Sequence, residues 1–76
     1  MSLTTIKANL TGATSEPGIK ANAAFHLLMV LEHLESGHIG KMEALTKVRK
    51  CSNAHTGSTV DSNDVRKFCA DILKHI

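Results

Sequence analysis

The sequence predicts a small all-α domain: three helices behind an extended N-terminal arm. Three observations carry this expectation. Residues 20–36 are rich in Ala, Leu, Met and Glu with no internal Gly or Pro, the C-terminal residues carry an apolar stripe at helical spacing, and the Thr-, Ser- and Gly-rich start holds the single proline, Pro17. At 76 residues the chain has room for one hydrophobic core.

Residues 1–18 read as the arm. Ile6, Ala8 and Leu10 alternate with Thr5, Lys7 and Asn9, the period of a short half-buried strand. One strand has no partner within the chain, so this segment is expected to be disordered or loosely packed as extended coil, or else to pair with a second copy or with another protein's sheet edge.

Residues 19–76 read as the helical domain. The first helix, 20–36, ends at Gly37, which supplies the left-handed residue found just past many helix ends. After the short link 38–40 a second helix spans 41–51, with Met42, Leu45 and Val48 spaced by three and Ala44 beside them. Residues 52–59 are a loop by composition. The third helix starts at Ser62, with Asp61 as N-cap, Asp64 completing an acidic capping box, and Val60 and Val65 forming a hydrophobic staple. Its apolar stripe is Val65, Phe68, Cys69, Ile72, Leu73 and Ile76, with Arg66, Lys67, Asp71 and Lys74 opposite.

Composition removes several function classes. A net charge of +2 is too small to announce nucleic acid or an anionic membrane. Two Phe without Trp or Tyr leave nothing for base-stacking platforms or aromatic cages. Cys51 and Cys69 allow one bridge at most, unlike the dense frameworks of small secreted domains. The start of the sequence lacks the layout of a signal peptide, and no apolar run approaches the roughly 18 residues of a membrane span. A cytoplasmic protein is the expectation.

Chemistry is sparse. Cys51-x3-His55 followed by Cys69-x5-His75 offers zinc-type ligands, but Cys69 lies on the apolar stripe, out of helical phase with His75, so a buried free cysteine is expected there and no metal or cofactor. Cys51, next to Lys50 and near His55, has neighbours that favour a thiolate. With no phosphate loop, nucleophile elbow or paired metal-binding His motif, the chain reads as non-enzymatic.

The functional expectation comes from residues 20–36. At about 100° per residue, Ala24, Leu27, Leu28, Leu31 and Leu34 share one arc, extended by Val30. Phe25 and Met29 form a second apolar stripe, with His26 and His33 on the polar strip between. That second stripe is either covered by Ile6 and Leu10 of the arm or free for a partner. The reading favoured is a small interaction, inhibitor or regulator module that binds a protein through Phe25 and Met29, flanked by His26 and His33. A homodimer is also expected, because a core of this size supplies only ~3–5 kcal/mol. The alternative is a small DNA-binding regulator using Lys41, Lys47, Arg49 and Lys50 on the second helix, with Lys47 and Lys50 turned from the apolar side and Arg49 near its edge.

Overall fold

Within the N-terminal segment a helical spacing competes with the alternation, and it wins. Leu3, Ile6, Leu10 and Ala13 step by 3, 4 and 3, one face of a helix. The computed structural model, which describes residues 2–76, accordingly contains four helices and no strand among the described residues: α1 (Leu3–Ala13), α2 (Ile19–Glu35), α3 (Lys41–Ala54) and α4 (Val60–His75). The all-α class holds; the extended arm and the three-helix count do not. Met1, the first residue of the expected arm, lies outside the described residues.

Ser2 starts α1 as N-cap, its hydroxyl accepting from the Thr5 backbone N–H at 3.2 Å. Ile6 and Leu10 are 1% and 0% exposed, whereas Ala8, their partner in the strand reading, faces solvent. Thr4, Thr5, Thr11 and Gly12 give this segment poor intrinsic helix propensity, so its stability comes from the face it buries.

α1 turns into α2 through Pro17 and Gly18. Gly18 has φ +93°, a conformation that costs a residue with a Cβ. Lys20 then ties three elements together, with its ammonium 2.8 Å from Glu16 and 2.9 Å from Asp64 of α4. Hydrogen bonds to Glu16 and then Asp64 hold this lysine charged well above the usual range. Lys7 of α1 meets Glu35, the last residue of α2, at 3.0 Å. α2 closes in a Schellman motif: Gly37, at φ +81°, donates to the Leu34 carbonyl and His38 donates to the His33 carbonyl.

α3 and α4 begin earlier or run longer than the sequence pattern places them. α3 continues to Ala54, so only residues 55–59 connect it to α4. Its buried stripe is Ala44, Val48 and Cys51, while Met42 is 74% exposed. Thr59, not Asp61, caps α4: its hydroxyl accepts from the Ser62 N–H at 3.1 Å. Val60 is 74% exposed and forms no staple. Asp64 is engaged by Lys20. Arg66 is a clamp rather than a free surface charge, its guanidinium donating to the carbonyls of His55 and Gly57 and to Asn63 Oδ1.

α2 and α4 form the central pair, each touching the other three helices, while α1 and α3 flank them on opposite sides without meeting. The core gathers Ile6, Leu10, Leu27, Leu31, Val48, Val65, Cys69 and Ile72, all under 2% exposed. A radius of gyration of 11.4 Å matches the ~2.2·N^0.38 Å of a compact chain, leaving no projecting arm.

Leu10→Ala should therefore cost about 2–5 kcal/mol in urea unfolding, whereas Ala8→Ser should stay within about 0.5 kcal/mol. Equal effects would mean that α1 does not contribute to the core.

Candidate functional site at the outer face of α2

With α1, α3 and α4 each taking part of its circumference, α2 keeps one strip open to solvent. On a wheel of about 100° per residue this strip runs through Glu32, Phe25, Met29, Asn22, His33, His26 and Ile19. Phe25 is 57% exposed and Met29 54%, one turn apart near its middle. Ile6 and Leu10, the residues that could have covered them, are spent in the core. The second apolar stripe expected from the sequence is thus left bare.

The four residues of that expectation do not form one cluster. His26 faces a groove beside Phe25 and Met29. His33 lies about 10 Å further along the helix axis, at its end. Its ring sits 5.6 Å from that of His38, whose Nδ1 is 2.7 Å from the Ser36 hydroxyl. His26 and His33 therefore serve separate surroundings.

The groove runs between the first half of α2 and the last half of α3, which lie side by side because the short turn at Gly37 sends α3 back along α2. Ile19, Asn22, Ala23 and His26 form one wall, and Lys50, Cys51, Ala54 and His55 the other, around a volume of about 430 Å³. Ala23, Cys51 and Ala54 are too small to fill the space between the helix axes. Three basic-type side chains and no carboxylate line it, so the groove favours negative charge. Its size falls within the ~300–1,000 Å³ of ligand-binding clefts.

Cys51 lies in this groove, 8% exposed, with fully buried Cys69 of α4 behind it. The two thiols share one buried cluster, and His55 Nδ1 donates to the Cys51 carbonyl oxygen at 2.8 Å. The hydrogen bond from Cys69, followed by the charge and hydrogen bond of His55, lowers the Cys51 thiol from 9.0 to about 7 against its burial. Cys69, the donor and the more deeply buried partner, is driven the other way. The sequence alone sets Cys51 beside Lys50 and near His55; the contact with Cys69 needs the packing of α3 on α4. His75, the fourth zinc-type residue, is exposed on another side of α4, and among the described residues no group of three or more His, Cys, Asp or Glu side chains is placed to hold a metal ion.

The basic residues of α3 are dispersed. Arg49 is exposed, on the outward face with Met42, Thr46 and Asn53, whereas Lys47 is half-buried and lies 4.0 Å from Glu43. That reverses the placement of Lys47 and Arg49 expected from sequence, because the buried stripe passes through Cys51 and not through Met42. Lys50 turns to the groove and Lys41 stands at the first turn.

Alkylation of the native protein by a small reagent should select Cys51 over Cys69. Its rate should rise with pH through a midpoint near 7, since deprotonation produces the reactive thiolate. A midpoint at the ordinary 9.0 would remove the roles assigned to Cys69 and His55. No family model, curated protein or solved structure matches this chain, so the reading of the site rests on its own residues.

Proposed function

We propose that this chain is a non-enzymatic protein-interaction module, an inhibitor or regulator in type, that binds a partner along the outer strip of α2. The observation that carries this reading is the exposure of Phe25 and Met29, 57% and 54%, on the one side of α2 that no other helix packs against. Large apolar side chains at adjacent turns are the anchors interfaces use, and Phe and Met are enriched at interface cores. The groove beside them adds a recess for an apolar side chain, and His26 and Lys50 on opposite walls favour a carboxylate next to it. The partner we assign is a protein segment with apolar anchors at helical spacing flanked by Asp or Glu.

A second copy of the chain is the rival occupant, since Glu32 stands beside Phe25 on the same strip and a small core favours association. DNA binding through α3 has less support, because its cations are dispersed: Lys47 sits close to Glu43, Lys50 faces the groove, Lys41 stands at the first turn and Arg49 on the outward face.

Peptides selected from a displayed random library against the native protein should converge on apolar residues spaced three or four apart with adjacent Asp or Glu. The double substitution Phe25→Asp, Met29→Asp should lower their affinity by about 2 kcal/mol or more while leaving the thermal melt nearly unchanged, because both residues are exposed. Peptides that bind the double variant as well as the parent would overturn the reading. A wild-type dimer that the same substitutions make monomeric in sedimentation would assign the strip to a second copy instead.

A further inference from the structure

We propose that Cys51 and Cys69 form a reactive dithiol that exchanges with small disulfides entering through the groove between α2 and α3, and that the exchange ends in a disulfide joining α3 to α4. The inference does not require a partner on the outer strip of α2, although such a partner would use the same groove. Three features of the packing support it. The groove gives a small molecule access to Cys51, whereas Cys69 is wholly buried, so the two sulfurs are unequal in access. Both belong to one buried cluster on the packed pair α3 and α4, near enough for each thiol to act on the other's proton, so an S–S bond would join neighbouring helices. The groups facing Cys51 are His26 from α2, Lys50 from α3, His55 just past its end and Cys69 from α4, with no carboxylate among them to oppose a thiolate.

The exchange balances without a further reagent. The Cys51 thiolate attacks one sulfur of the small disulfide, forming a mixed disulfide and releasing one thiolate, which takes up a proton from solvent. Cys51 then no longer accepts a hydrogen bond from Cys69, and the main cause that held the Cys69 proton in place is gone. Cys69 loses that proton to solvent and attacks the Cys51 sulfur, expelling the second small thiolate. Two electrons have passed from the dithiol to the small disulfide, which leaves as two thiols.

The test is incubation of the native protein with 2-hydroxyethyl disulfide, followed by acid quench and intact-mass spectrometry. Wild type should pass through a transient adduct, mapped to Cys51, to a product lighter than the starting protein by two hydrogens. Cys69→Ala should stop at the stable Cys51 adduct, and Cys51→Ala should react with neither outcome until denatured. Circular dichroism checks that each variant is folded; where one is not, the order of species in the wild-type quench still decides. A first adduct at Cys69, equal reactivity of native Cys51→Ala, or exclusively intermolecular disulfides would overturn the proposal.

Discussion

The burial of Ile6 and Leu10 against α2 and α4 governs the rest of this structure. Three helices from residue 19 onward would leave the α2 and α4 surfaces now under α1 open to water, and α1 closes them with side chains 1% and 0% exposed. At about 1.5–3 kcal/mol for each fully buried aliphatic side chain, these two residues are comparable with the net stability of a domain this small. The energy is enough to fold a Thr-rich segment whose own propensity opposes a helix. Ser2 at its start, and the ion pairs of Lys7 with Glu35 and of Lys20 with Glu16 and Asp64, fix its ends and its angle to α2.

The same packing decides what remains available for function. Because α1 uses its apolar residues inside, nothing in the described chain is left to shield Phe25 and Met29. Because α1 and α3 take opposite flanks of the central pair, the exposed strip of α2 runs directly into the groove between α2 and α3. Small residues at the open end of that helix pair create the recess and bring solvent to Cys51. The interaction reading and the thiol reading thus draw on one architectural fact: α2 has more apolar circumference than its three neighbours cover.

Much of this is legible in the sequence where local signals and packing agree. Gly37 marks the end of α2 in the sequence as it does in the fold, because a glycine directly after an amphipathic run takes the left-handed turn at low cost. The stripe of the last helix is clear because one face is buried along its length, although Phe68, Leu73 and Ile76 lie at its margin and are only partly covered. The two apolar sides of α2 are equally visible. The N-terminal segment misleads because Ile6 and Leu10 fit both a strand alternation and a helical step; Leu3 and Ala13, in phase with the helix alone, and Ser2 as cap are the signals that separate the two. The acidic spacing points to Asp61 as cap, whereas the structure uses Thr59, whose hydroxyl accepts from the N–H of buried Ser62. Contacts between distant residues, such as Arg66 with the α3 to α4 loop or Cys51 with Cys69, depend on how helices are set against one another, which no local pattern encodes.

Native-state hydrogen exchange resolved by residue tests the central claim most directly, because α1 either shares the cooperative core or stands outside it. The account predicts that the amides of residues 6–13 are protected to nearly the same extent as the slowest amides of α2 and α4, opening only in global unfolding. Exchange of those amides at free-chain rates while α2, α3 and α4 stay protected would contradict it, and would return Ile6 and Leu10 to an arm able to cover Phe25 and Met29.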